Sequence, residues 1–193
     1  MKKKVREIPS IDEIKAELNR IKYKRSYRGI IRNTLYTLIT VAAIAVLVAT
    51  LWMPVLQTHG SSMTPTLHDN NIVVSLKNGD VQYGDVIAFY YNNKILIKRV
   101  IGLPGDWIDI KQDGSVYVNG SLCDEPYISQ KSLGDCNIEF PYQVPDAKYF
   151  VMGDHRATST DSRNSALGCV AEEQIVGRII FRVWPPNEIG RIE

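Results

Sequence analysis

Between residues 33 and 58 the chain runs for 26 residues without one formal charge, and no other stretch constrains the fold as strongly. Seventeen of these residues, LYTLITVAAIAVLVATL at 35–51, include fourteen apolar side chains. Continued to Leu56 the run has 22 residues. At about 1.5 Å per residue a helix of that length crosses the ~30 Å hydrocarbon core of a bilayer. A helix buried in a globular core would be shorter and would carry a polar stripe. The three threonines do not supply one, because a threonine hydroxyl can bond back to its own helix. The run predicts a single transmembrane helix over residues 33–56.

The flanks set its direction. Residues 1–32 carry eleven Lys/Arg against four acids, a net of +7, and the remainder holds 12 bases against 17 acids, a net of −5. The positive-inside rule then keeps residues 1–32 in the cytoplasm and sends residues 57–193 outside the cell membrane. A cleaved leader would have an apolar stretch of only about 7–15 residues ending at a small-x-small site. Ala43-Ile44-Ala45 lies in mid-run and does not fit, and Thr58-His59-Gly60 is a weak match that remains a place for self-cleavage. In the basic tail, Ser10-Ile11-Asp12-Glu13 after Pro9 reads as a capping box, and Ile11, Ile14, Leu18 and Ile21 follow at helical spacing. A short amphipathic helix is expected, its positive charge held against anionic lipid head groups of the bilayer and not against nucleic acid.

Beyond residue 70 the periodicity changes. Runs rich in Val, Ile and Tyr (NIVVSL, DVIAFYY, ILIKRVIGL, WIDIK, SVYVNG) alternate with turn signals at Asn78-Gly79-Asp80, Asn92-Asn93, Pro104-Gly105-Asp106 and Asp113-Gly114. Such short runs with Asn-Gly and Asp-Gly pairs indicate an all-β domain, an antiparallel barrel or sandwich, behind the one N-terminal helix. At 45% hydrophobic and 23% charged the composition excludes wholesale disorder and a multi-span membrane protein. Residues 121–146, with three prolines, read as an irregular insertion between a core half ending near Gly120 and a second half containing YFVMGD and QIVGRIIFRVW. Cys123 and Cys136 flank that insertion on the oxidising side, where bridging a 14-residue loop would contribute about 3 kcal/mol. Cys169 reads as a small buried apolar residue. No Cys or His spacing suits a metal, and no cofactor is expected.

Two segments hold residues that folding alone does not require, His59-Gly60-Ser61-Ser62-Met63-Thr64-Pro65-Thr66-Leu67 and Ile95-Leu96-Ile97-Lys98-Arg99-Val100-Ile101-Gly102. On a strand, Lys98 shares its face with Leu96 and Val100, while Arg99 faces the other way with Ile97. Apolar neighbours disfavour the ammonium form and lower a lysine pKa from about 10.4, which is what a lysine general base requires. Arg99 needs a carboxylate. A third segment, Gly153-Asp154-His155-Arg156-Ala157-Thr158-Ser159-Thr160-Asp161-Ser162-Arg163, packs charges and hydroxyls after the apolar YFVM and can supply one.

In this order and behind an N-terminal apolar helix, the three segments resemble the bacterial type I signal peptidases, membrane-bound Ser/Lys proteases that remove signal peptides from exported preproteins. The resemblance is carried by Ser62-Met63-Thr64-Pro65-Thr66-Leu67 against SMxPTL, by residues 98–106 against KRVxGxPGD and by residues 153–163 against GDNRxxSxDSR, with His155 where the family has asparagine. It spans roughly residues 35–186, and the GSSM context and small outer domain are most similar to Gram-positive members. By resemblance, Ser62 is the nucleophile, Lys98 the general base, and Ser159 the hydroxyl that orients the lysine amine. Asp154 pairs with Arg99, and Asp161 with Arg163, as supports. The substrate would add a β-strand alongside residues 56–60 and the Lys98 strand. Leu56, Thr58, Gly60, Met63, Leu67, Leu96 and Ile97 would line shallow pockets for small side chains at the first and third residues before the cut.

Other readings fit less of the sequence. A Ser-His-Asp hydrolase using His59, His68 or His155 would lack a nucleophile elbow and leave the lysine segment unexplained. A self-cleaving Ser/Lys repressor would have no 26-residue uncharged run. A homologue dedicated to one pilin-like substrate, or a non-catalytic assembly factor, is the remaining alternative; the idle form conflicts with the presence of both Ser62 and Lys98.

Overall fold

The structure, a computed structural model, describes residues 11–77 and 79–192, so the expected capping residue Ser10 and the turn residue Asn78 lie outside the described residues. Two compact units divide near residue 48.

The first unit is helical. A single helix, α1 (Ile11–Trp52), has 42 residues, which at 1.5 Å each makes about 63 Å. Its apolar window has mean hydropathy 2.2, and among the described residues it is the one helix long and apolar enough to cross a membrane. The Thr37 and Thr40 hydroxyls donate to the Asn33 and Tyr36 carbonyls at 3.0 and 2.9 Å, so these threonines are satisfied within the helix. Two expected boundaries change. The amphipathic stretch of Ile11, Ile14, Leu18 and Ile21 is not a separate helix but the start of α1. The helix stops at Trp52, two residues before Pro54, whose ring cannot continue it, so Leu56 belongs to a strand and not to the apolar helix.

The second unit is antiparallel throughout. Its strands are β1 (Val55–Gln57), β2 (Ile72–Leu76), β3 (Val86–Tyr91), β4 (Lys94–Gly102), β5 (Trp107–Ile110), β6 (Val116–Val118), β7 (Ser121–Leu122), β8 (Tyr142–Gln143), β9 (Lys148–Met152), β10 (Val170–Ala171), β11 (Ile175–Trp184) and β12 (Gly190–Arg191). The main sheet runs β1-β2-β11-β3-β4-β9-β10, with β12 on β11, and a smaller sheet runs β7-β6-β5-β8. The β3–β4 hairpin turns at Asn92 and Asn93, both at positive φ (44° and 61°), as a tight hairpin turn requires.

The second sheet corrects the expected insertion. Trp107–Ile110 and Val116–Val118 do not continue the main sheet to Gly120; they pair with the short strands at 121–122 and 142–143. This sheet closes over a core of Ile101, Ile108, Ile110, Val116, Val144, Phe150 and Met152. The cysteines Cys123, Cys136 and Cys169 are all free, so the expected Cys123–Cys136 bridge is absent, and Cys169 is half-buried against the same core. Trp184, at the end of β11, is 50% exposed.

Two edges of the main sheet stay open. β1 is an outer strand paired only with β2. β4 pairs with β9 only from Arg99 onward, so its first half is bonded on one side to β3 and is free on the other.

Candidate active site

Ser62 sits in the loop joining β1 to β2. Met63 and Leu67, 5% and 1% exposed, plug this loop into a core with Val73, Val86, Ala88 and Ile179. The Leu67 N–H donates to the Met63 carbonyl at 2.8 Å, giving one helix-like turn directly after Ser62. The base of the loop is closed by Thr58, whose hydroxyl donates to the His68 carbonyl and accepts from the Asn71 N–H at 3.0 Å. Gly60, at φ 85°, adopts a left-handed conformation that suits glycine, and its N–H donates to Asp69 Oδ1 at 2.8 Å.

Lys98 reaches the nucleophile from β4. Its Nζ donates to Ser62 Oγ at 2.7 Å, and the residue is only 3% exposed. Burial lowers the pKa of this amine from 10.5 to about 8; the Arg163 guanidinium pushes the same way, and the Asp161 and Asp154 carboxylates oppose it. The face alternation is as the strand period demands. Val100 and Leu96 pack with Ile87, Phe89 and Val151, whereas Ile97 packs with Met63 and Leu67.

Arg99, on the opposite face, forms a two-pronged pair with Asp154, Nε to Oδ1 at 2.9 Å and Nη2 to Oδ2 at 2.8 Å. The guanidinium lies 3.9 Å from the Tyr127 ring centre, and Thr66 donates its hydroxyl to Asp154 Oδ2. The strand carrying Lys98 and the loop carrying Ser62 are therefore tied to one carboxylate. Arg163 and Asp161 form a second two-pronged pair, both contacts 2.8 Å, and Asp161 Oδ2 also accepts the Gly153 N–H at 2.9 Å.

Ser159 departs from expectation. Its hydroxyl is buried, the residue being 1% exposed, and it makes no hydrogen bond, so it does not hold the Lys98 amine. It lies against Gly153, where an added Cβ would overlap both the Ser159 side chain and the Ser62 carbonyl oxygen. The His155 N–H donates to that carbonyl at 3.1 Å, and the His155 ring Nδ1 lies 2.8 Å from the Thr158 hydroxyl. Among the described residues no histidine ring is hydrogen-bonded to Ser62, which leaves the Ser-His-Asp reading without its base.

A groove of about 590 Å³ opens beside Ser62 and Lys98. It brings together all seven residues expected to meet substrate, Leu56, Thr58, Gly60, Met63, Leu67, Leu96 and Ile97. Gln57 and His59, within the stretch 56–60 expected to flank the substrate, complete the lining with Ile95, Lys94 and the turn residue Asn93, none of the five being expected as a pocket residue. Sequence reasoning also missed a third buried ion pair, Arg156 with Glu125, 2.5 and 3.1 Å apart at its two contacts. A signal existed: three arginines, Arg99, Arg156 and Arg163, lie in the segments 95–102 and 153–163, and Asp154 and Asp161 can pair with only two of them. Among the described residues there is no cluster of three His, Cys, Asp or Glu side chains placed to hold a metal.

A half-open antiparallel sheet thus carries a buried lysine against a loop serine beside a groove, and the comparisons give the class of the protein. The family model described as signal peptidase, peptidase S26 matches residues 31–184. Signal peptidase IB of Staphylococcus aureus strain COL is 40% identical over 150 residues, covering 67% of this chain and 76% of that protein. Signal peptidase I of Bacillus amyloliquefaciens is 37% identical over 182 residues, 88% of this chain and 97% of that one. The crystal structure of a signal peptidase I from Enterococcus faecalis V583 matches with a TM-score of 0.43 at 30% identity, over 52% of this chain and 97% of that chain. The chain belongs to the signal peptidase S26 family and is a peptidase.

Proposed function

We propose that this chain is a membrane-anchored endopeptidase that removes signal peptides from exported preproteins with a Ser62/Lys98 dyad. The observation that carries the reading is the 2.7 Å contact between a buried, pKa-lowered amine and the Ser62 hydroxyl at the mouth of the groove. A neutral Lys98 takes the Ser62 proton as Oγ attacks the scissile carbonyl. The Ser62 N–H faces the developing oxyanion. Lys98, now an ammonium, protonates the departing amine, and in its neutral form again it activates the water that releases the acyl-enzyme. Arg99–Asp154 and Arg163–Asp161 brace the two strands and the loop and take no part in the proton transfers. Ser159 keeps a buried hydroxyl without a partner beside Gly153, close to the Ser62 backbone.

The substrate segment fits as an extended strand between the open edge of β1 and the open half of β4, meeting unpaired backbone groups on both sides. Met63, Leu67, Leu56 and Ile97 form apolar walls that admit only small side chains next to the cut. The apolar part of α1 anchors the chain in the cytoplasmic membrane. The +7 tail stays inside and the β unit outside, where translocated preproteins emerge.

Lys98→Arg tests the dyad, because a guanidinium stays protonated at any working pH. Cleavage of a preprotein in detergent should fall to the residual rate of Ser62→Ala, and wild-type kcat/KM should rise about tenfold per pH unit below about 8. Near wild-type cleavage by Lys98→Arg would refute the mechanism.

A further inference from the structure

Apart from Lys98, the groove has one permanently charged side chain in its lining, Lys94, at the first position of β4 and next to the Asn92–Asn93 turn. Lys94 is exposed, and no ion pair or hydrogen bond of its ammonium is present among the described residues. Asp69, which holds the backbone of the lining residue Gly60, is already engaged by the Gly60 N–H at 2.8 Å and the Asn70 amide at 2.9 Å. His59 is the one other titratable side chain in the lining.

We propose that Lys94 selects preproteins by the charge of the fourth residue before the cut, favouring an acidic or amide side chain there and disfavouring a basic one. The inference rests on the reading of the groove as the cleavage site and assigns its far end. The cut lies at Ser62 and Lys98, and the remaining length of open β4 edge is residues 94–97, so the segment before the cut runs alongside these residues in the same direction as β4. The small first residue faces the wall that includes Ile97, Met63 and Leu67. In a parallel pair, residues abreast share a face and side chains alternate. With the first residue abreast of Ile97, the third is abreast of Ile95 and takes the same face. The fourth is then abreast of Lys94 and shares its face. A four-carbon stem lets the ammonium reach a carboxylate or a side-chain amide oxygen on that neighbour, and the same ammonium repels a lysine or arginine placed there.

Synthetic preprotein segments differing only at the fourth residue before the cut, with Asp, Ala or Lys, test the assignment on the full-length chain in detergent. The wild type should rank kcat/KM as Asp over Ala over Lys, each step about two- to fivefold at low salt and compressed by ~0.5 M salt, as for an exposed charge pair. Lys94→Glu should reverse the order when each enzyme is normalised to its own Ala segment, and Lys94→Ala should flatten it. An order unchanged by Lys94→Glu, or a charge effect centred on the second or sixth residue instead, overturns the proposal. Cleavage of the Ala segment by wild type and its loss in Ser62→Ala report separately on the catalytic reading, so a failure of one is not mistaken for a failure of the other.

Discussion

Replacing Lys98 by methionine should abolish cleavage and at the same time make the protein more stable near neutral pH. The side chain is 3% exposed, and its pKa falls from 10.5 to about 8, mainly because burial penalises the ammonium. Each tenfold change in proton affinity is worth about 1.4 kcal/mol, so a native state that must carry this amine charged at pH 7 gives up about 3 kcal/mol relative to one holding it neutral. Methionine matches the length of the lysine stem and carries no charge. It also removes the partner of the Ser62 hydroxyl, a loss of about 1 kcal/mol. The net expected at pH 7 is a gain of about 2 kcal/mol, or roughly 4–8 °C in Tm for a domain of this size. The sign depends on pH. Between about 8 and 10.5 the unfolded chain holds more of this proton than the native one, so wild-type stability climbs with pH through that window and the advantage of methionine disappears. Above pH 10.5 the variant should be the less stable of the two. Thermal unfolding of both proteins in one detergent from pH 6.5 to 11 measures the difference, in which all other titrations cancel. A variant less stable than wild type at pH 7, or a difference flat across the range, would refute the buried-amine argument.

Gly153→Ala should lower kcat by a hundredfold or more with little change in KM, because the new methyl collides with the Ser62 carbonyl and the Ser159 side chain; steady-state kinetics on one preprotein decides it. Glu125→Ala leaves the buried Arg156 unpaired and should destabilise the β unit by about 3–5 kcal/mol in denaturant titrations, while Glu125→Ala with Arg156→Met should recover much of the loss. In intact protoplasts, external protease should digest the chain beyond residue 60 and spare an epitope placed before Arg32; the opposite pattern would invert the topology.

Much of the site was legible because its chemistry is tied to short periods. Alternation along β4 separates Lys98 from Arg99, and it indicates which of the two lies among apolar neighbours and which requires a carboxylate. What escaped depends on three-dimensional closure. Glu125 meets Arg156 across 31 positions, from a segment with almost no regular structure, and no periodicity announces such a partner. The resemblance puts the Ser159 hydroxyl on Lys98, but the amine's short contact goes to Ser62 and the Ser159 hydroxyl has no partner. The end of the apolar helix was misplaced because Val55 and Leu56 are as apolar as the span itself; Pro54 was the mark of the boundary. The strands at 107–110 and 116–118 were visible as strands, but alternation says which face is buried and not which sheet a strand joins.

The open half of β4 and the lone edge of β1 have a consequence for what can be cut at all. Their unpaired N–H and C=O groups accept any backbone, whatever its side chains, provided that it arrives fully extended over several residues. A folded loop, a helix or a strand already paired in its own sheet cannot offer that. On the proposed strand-addition reading, the first test a protein meets is therefore mechanical: only a stretch of chain that is not folded can complete the sheet. On the same reading, mature domains with small residues on their surfaces would be spared by their own hydrogen bonds before any pocket inspects them.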